Sequence, residues 1–403
     1  MKVAVIGGGP SGMMAGGICA KNGNKVDLFE ANEKLGKKLY ITGKGRCNVT
    51  NASEPSDMLG NVVNNAKFLY SAFYNFDSNA TIKFFESLGV PIKIERGNRA
   101  FPVSDKSSDI IKALGIFLTK NKVNVLCNHK VLSIDKVNDK FCITTPFGVY
   151  NDYDATICCC GGVTYSATGS TGDGYKFAKN FGHKVTDIAP ALVPILLKDS
   201  FVKQVEGLSL KNVKLIALKN NKTFKEFFGE MLFTSNGISG PIALSMSSYI
   251  NRQKDIALKI DLKPALTVAQ IEQRIIRDID KNREVQVSTL LSGLLPKALV
   301  VPFLSKCYIG QTTKVKSLTT KQIQDMAFKL KNFDLNFLSL DKLDYGIITS
   351  GGVDVNQVNP KTMESKIVKG LYFAGEVLDV DALTGGYNLQ IAFSTGFLAG
   401  NSL

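Results

Sequence analysis

A chain of 403 residues with 44% hydrophobic residues has enough apolar material for two or three packed domains. Its formal net charge of +14 is uneven, since residues 191–340 hold 22 Lys+Arg against 12 Asp+Glu, a net of +10, and the remainder only +4. Eight cysteines without a CxxC pair and only two histidines argue against a zinc site or disulfide framework, and no metal is expected.

The chain opens on an apolar strand, Lys2 to Ile6, with no export-type leader pattern, and no apolar run reaches membrane-spanning length. A cytoplasmic protein without a membrane partner is the expectation. Gly7-Gly-Gly-Pro-Ser-Gly12 follows, then a small-residue helix over Met13 to Asn22 and a strand from Lys25 to Phe29 ending at Glu30. This is G-x-G-x-x-G in its strand-to-helix setting, with an acid closing the next strand. Glycines let a diphosphate approach the backbone, the helix N-terminus offers free N–H groups, and Glu30 can accept from ribose hydroxyls.

Helical patterns are expected from Asn64 to Leu88 and from Ser107 to Lys120, then a small antiparallel meander between Val123 and Tyr150, an apolar strand over Ala155 to Cys160, and a helix from Tyr175 to Phe181. Beyond Pro194 the character changes to short strands through Leu262 and a lysine-rich helical stretch from Thr267 to Leu338. Glycines return at Thr349-Ser-Gly-Gly-Val353, Gly370 to Glu376 and Thr384-Gly-Gly-Tyr-Asn-Leu-Gln390, before a helix from Ile391 to Gly400. The expected division is a dinucleotide-binding domain of residues 1–194 and 349–403, interrupted by a β-barrel-like insertion (195–266 and about 335–348) and a helical one (267–334). A second acid-plus-glycine contact near the C-terminus favours FAD, bound extended, over NAD.

The segments GGGPSGMMAG, KKLYITGKGRCNVTN, GSTGDGYKFAKNFGH, GEMLFTSNGISGP and GLYFAGEVLDVDALTGGYNLQIAFSTG, in that order, resemble the bacterial BaiN/RdsA-type flavoproteins, a family of bile-acid dehydro-reductases and ribosomal-RNA dihydrouridine synthases. The resemblance spans nearly the whole chain. It implies an α/β, two-dinucleotide-binding-type FAD domain, a Rossmann-like parallel sheet with an inserted antiparallel meander, interrupted by the two insertions above. One departure is Cys158-Cys159-Cys160, where similar flavoproteins usually carry Ala-Thr-Gly.

With the motif, the resemblance puts cofactor contacts at Gly7, Gly9, Pro10, Ser11, Gly12 and Glu30, then at Lys38, Thr42, Gly43, Gly45, Arg46, Cys47 and Asn48. Further contacts are expected at Val131, Gly161, Gly375, Glu376, Gly385, Gly386, Tyr387, Asn388 and Leu389. Cys47 is a candidate proton donor, on the argument that a thiol beside cations can hold a suitable pKa; its plainer reading is a small packed residue. Arg46 could supply positive charge to the flavin edge, and Tyr387 could donate a proton. His183 reads as a packed or capping histidine.

No second G-x-G-x-x-G exists, so NADPH or NADH would dock transiently as electron donor. The leading expectation is an FAD-dependent reductase of uridine in an unpaired region of 23S ribosomal RNA, with the basic insertion holding phosphates. The alternatives are reduction of a steroid or bile-acid-like enone, amine oxidation, or an RNA-binding protein whose FAD is structural. Oligomeric state is left open.

Overall fold

The computed structural model describes residues 1–403, which form two compact units: Met1–Ala191 with Lys342–Leu403, and Leu192–Asp341. In the first unit, β1 (Lys2–Ile6) pairs in parallel with β2 (Lys25–Phe29) on one side and with Ala155–Cys158 on the other. Asn124–Leu126 and Leu371–Phe373 complete a five-stranded parallel sheet at its two edges. Its central strands are buried along nearly their whole length, as both faces of a parallel sheet require.

The helix α1 (Pro10–Lys21) links β1 to β2 and packs against the last helix, Tyr387–Asn401. Their approach is close enough that a Cβ on Gly396 would lie 2.5 Å from the Ser11 carbonyl oxygen, so the small residues at both ends of the chain serve one helix contact. The meander is shorter than expected: three antiparallel strands, Ser133–Val137, Lys140–Thr145 and Gly148–Tyr153, form it, while its expected first segment, Val123 to Leu126, instead pairs in parallel with β2. The helix expected at Ser107 to Lys120 has those bounds.

The continuous helix expected over Asn64 to Leu88 is instead three pieces, Ala66–Leu69, Tyr70–Asn75 and Ser78–Ser87. Asp77 explains the last break: its backbone is extended and its carboxylate accepts from the Ala80 N–H at 2.7 Å, a cap that restarts the helix.

The second unit carries a seven-stranded antiparallel sheet built around the long hairpin Ser209–Lys219 and Lys222–Thr234. Helices Val268–Lys281, Val287–Leu291, Lys297–Lys306 and Thr320–Lys331 share one hydrophobic core with it. Two of the helices begin with capping boxes, at Thr267 with Gln270 and Thr319 with Gln322. The helical stretch stops earlier than its expected end at Leu338, because Phe333–Leu335 alternates buried and exposed and pairs with Ile256–Asp261, while Phe337–Leu340 pairs with Ile195–Leu197. No helix is long and apolar enough to cross a membrane.

Candidate functional site

The glycine loop between β1 and α1 is held open by its own packing. Gly9 is the N-cap residue of α1 and Pro10 follows at the first helical position, so no side chain occupies the orphan N–H groups of the first turn. A Cβ on Gly9 would meet nothing within 4 Å, whereas one on Gly12 would lie 1.9 Å from the Gly7 carbonyl oxygen. Gly12 thus lets helix and loop close on each other, and Gly9 leaves the space in front of the helix free.

Glu30, at the end of β2, is buried, and its carboxylate accepts from the N–H groups of Gly8 and Asn32, both at 2.7 Å, and from Asn32 Nδ2 at 2.6 Å. These bonds fix the acid beside the glycine loop. The N–H of His129 donates to the Glu30 carbonyl at 2.8 Å, which draws the segment carrying buried Val131 alongside.

A second cluster joins distant parts of the same unit. Lys38, on the short helix α2 (Lys37–Ile41), donates from Nζ to both carboxylate oxygens of Glu376 at 2.8 and 2.9 Å and to Thr164 Oγ1 at 2.9 Å. Glu376 also accepts from the Thr349 N–H at 2.9 Å. Gly375 and Gly161 take positive φ, 79° and 71°, where the backbone turns out of the two strands that precede them. Thr164 and Thr349 escaped the sequence reading; the only trace of them was the glycine-rich setting of each.

After α2 the chain winds tightly about Thr42, whose carbonyl accepts from the N–H groups of Gly45 at 3.2 Å and Cys47 at 3.0 Å. Gly43, Lys44, Gly45 and Cys47 all take left-handed backbone, with φ between 58° and 84°. Two expectations for this loop change. Arg46 does not present a free charge: its guanidinium bonds Asp105 at 2.7 and 2.9 Å, pairs with Glu95, and lies 4.2 Å from the Phe101 ring centre. Arg46 also holds the Glu95 carboxylate below its ordinary pKa.

Cys47 is fully buried, and burial alone pushes its thiol pKa up with no cation to oppose it. The cationic neighbourhood that would have made it an acid is absent because Arg46 is turned to its carboxylates. Asn48 Oδ1 is buried without a hydrogen-bond partner.

The end of the loop meets the C-terminal glycine motif. Asn51 Nδ2 donates to the Gly385 carbonyl at 3.1 Å, and Thr50 Oγ1 donates to Gln390 Oε1 at 2.6 Å. Asn388 clips the turn before the last helix, accepting from the Ala382 N–H at 2.9 Å and donating back to its carbonyl at 2.8 Å. Gly386 caps the last helix at a φ of 100°, and Leu389 packs against the core. Tyr387 opens that helix nearly buried; burial raises its pKa, and its hydroxyl has no hydrogen-bond partner. Cys158 and Cys159 are buried strand-end residues and Cys160 is partly buried, all with pKa pushed up by burial.

An uncapped helix start, the empty space before Gly9, a fixed acid at the end of β2 and the orphaned acceptor of Asn48 fit an extended dinucleotide. The family described as "HI0933-like protein Rossmann domain" matches residues 1–402. The chain is 31% identical to a 3-dehydro-bile acid delta(4,6)-reductase of Clostridium scindens, over 100% of this chain and 98% of that protein. It is 29% identical to a ribosomal RNA dihydrouridine synthase of Haemophilus influenzae, over 99% and 97%. Among solved structures, a 3-ketosteroid-delta4-(5alpha)-dehydrogenase of Rhodococcus jostii shares the fold at a TM-score of 0.54 and 13% identity, over 99% of this chain and 96% of that one. With the whole chain matched and its glycine loop and closing acid in place, the protein belongs to the HI0933-like Rossmann-domain family, a family of FAD-type oxidoreductases.

Proposed function

We propose that the protein is an FAD-dependent reductase of a conjugated carbon–carbon double bond, driven by NADPH or NADH, and that its substrate is uridine in an unpaired region of 23S ribosomal RNA. The observation that carries the RNA reading is the charge of the second unit. Residues 192–341 hold 22 Lys+Arg against 13 Asp+Glu, a net of +9. Many of its acids are already spent on ion pairs, among them Asp199 with Lys306, Asp261 with Lys331, Glu226 with Lys214 and Glu284 with Lys316. Lys198, Lys203, Lys211, Lys222 and Lys297 therefore face solvent without an acidic partner, as a phosphate-binding surface requires.

In this reading the first turn of α1, from Ser11, would hold the diphosphate, Glu30 a ribose, and Lys38, Glu376 and Asn48 further parts of the cofactor. FAD held there would supply hydride chemistry, with NADPH or NADH as the source of the two electrons. The protein's share is to unstack the base, exclude water, and deliver a proton to C5. Of the residues considered for that proton, Tyr387 keeps it best, since its phenol is neutral and unpartnered while Arg46 is committed and Cys47 enclosed. The products are dihydrouridine and oxidised nicotinamide.

A second reading, reduction of a steroid-like enone, is favoured by the 31% identity to the bile-acid reductase. The test is nucleoside mass spectrometry of ribosomal RNA lacking dihydrouridine after incubation with the protein, FAD and NADPH. One uridine heavier by two hydrogens supports the RNA reading; unchanged RNA, with flavin still reduced by NADPH, transfers the reading to small enones.

A further inference from the structure

The second unit contains a cavity of about 160 Å³ with an apolar floor and a cationic rim. Leu210, Leu262 and Leu294 form the floor; Ser209, Lys211 and Lys263 line the same space. The strand Ser209–Lys219 carries a bulge between Leu210 and Val213, with Asn212 in left-handed backbone at φ 55°, so Lys211 leaves the regular alternation of the strand at the cavity's edge.

Lys263 is fixed from both sides. Its N–H donates to Asp261 Oδ1 at 2.9 Å and its carbonyl accepts from Lys331 Nζ at 3.0 Å, but its own ammonium has no carboxylate. Asp261 is occupied by Lys331 at 2.6 Å. Burial and the nearby Arg274 guanidinium hold the Lys263 amine below the ordinary lysine pKa, the mark of a cation that lacks its counter-ion. Arg274 itself is anchored to the Gly293 carbonyl at 3.2 Å and paired with Asp278 at 3.7 Å, which leaves Lys211 and Lys263 as the cations of the cleft.

Cations gathered at one rim without an acid among the lining residues call for an anion, and a free phosphate would leave the leucine floor unused. We infer that this cleft binds one nucleotide of single-stranded RNA, its phosphate on Lys211 and Lys263 and its base on the leucine floor. The inference rests on the RNA reading above and extends it to a contact remote in sequence from the dinucleotide-binding residues. Van der Waals contact between a base and leucine side chains reads no hydrogen-bonding edge, so the cleft would position RNA rather than select a uridine.

The experiment is fluorescence anisotropy of a labelled, short single-stranded oligoribonucleotide on the full-length, flavin-loaded protein, titrated with salt. Lys263→Met and Lys211→Gln should each weaken binding about three- to tenfold and lower the log–log salt slope by about 1. Lys361→Gln, an exposed lysine of the first unit, should leave both unchanged. Lys211 is exposed, so its variant keeps the fold even if Lys263→Met does not. Wild-type affinity and slope in Lys211→Gln, or no binding by the wild type, overturns the cleft. An abasic oligomer bound as tightly as the complete one reduces it to an anion site and overturns the nucleotide assignment. Ribosomal RNA conversion is assayed separately: conversion with unchanged binding in both variants removes the cleft alone, and lost binding in the variants without wild-type conversion removes the uridine reading alone.

Discussion

The ammonium of Lys38 sits between the two carboxylate oxygens of Glu376, at 2.9 and 2.8 Å, although the residues lie 338 positions apart. Each side chain is about a fifth exposed, 22% and 21%, so neither is fully solvated and removing one leaves the other poorly compensated. Glu376→Gln and Lys38→Met should each lower the thermal stability of the flavin-free protein, and the double variant should lose less than the sum. Partial exposure limits the expected coupling to about 1 kcal/mol in a double-mutant cycle. Strict additivity would mean that the pair contributes nothing.

The two glycines that frame the start of α1 should behave differently. Gly9 has a φ of −77°, which alanine adopts freely, and its Cβ would enter empty space. Gly9→Ala should melt like the wild type yet bind FAD about tenfold more weakly, because the methyl group enters the space proposed for the diphosphate. Gly12→Ala would press a methyl group against the Gly7 carbonyl oxygen at 1.9 Å, and should cost about 1–3 kcal/mol of stability as well as cofactor. Flavin titration and melting curves, run on both, separate space for a ligand from space for the fold.

What could be read in the sequence follows from range. The G-x-G-x-x-G loop, α1, Glu30 and the Ser107–Lys120 helix are specified within a few turns of chain, so spacing and periodicity expose them. The strand Phe333–Leu335 is too short to show its period beside four helices, and only its pairing with Ile256–Asp261 defines it. The ion pairs of Arg46 were hidden for the same reason: Glu95 and Asp105, 49 and 59 positions away, are ordinary surface acids until the chain brings them to it. Burial of Cys47 is likewise a tertiary fact.

That burial makes a direct prediction. A fully enclosed thiol with a raised pKa is almost entirely protonated and inaccessible, so Cys47 should resist alkylation in the native protein while partly exposed Cys127 and Cys142 react. Cys47→Ala should leave turnover near the wild-type value and cost about 1 kcal/mol of stability. Cys47→Ser, which buries a hydroxyl, should cost about 1–3 kcal/mol. A large fall in turnover with normal flavin content in Cys47→Ala would return the thiol to the mechanism.

His183 should make stability sensitive to mild acid. It is buried, its Nε2 lies 2.8 Å from Ser365 Oγ, and burial lowers its pKa, so the folded chain keeps it neutral. The unfolded chain protonates near pH 6.5, and stability is therefore full above that pH and declines as pH falls through it. Melting temperature should drop between about pH 7.5 and 5.5, and less steeply in His183→Gln, the two profiles differing over the window where an unfolded histidine titrates. Parallel profiles would show that His183 is not the group responsible.

Tyr387 is where the proposed chemistry is most exposed to test. Its hydroxyl has no protein partner and burial raises its pKa, so it remains a proton-bearing phenol through neutral pH. If it delivers the proton to the substrate, Tyr387→Phe should slow reduction of the double bond about 100-fold or more, the range expected for a lost general acid. Reduction of the flavin by NADPH needs no such proton and should be unchanged, so stopped-flow measurement of the two half-reactions divides the effects. The wild-type second half-reaction should stay flat with pH across neutrality and fall only above about pH 10, where an unperturbed phenol would already ionise. If both half-reactions slow together, Tyr387 shapes the start of the last helix, whose turn Asn388 clips, and the proton comes from elsewhere.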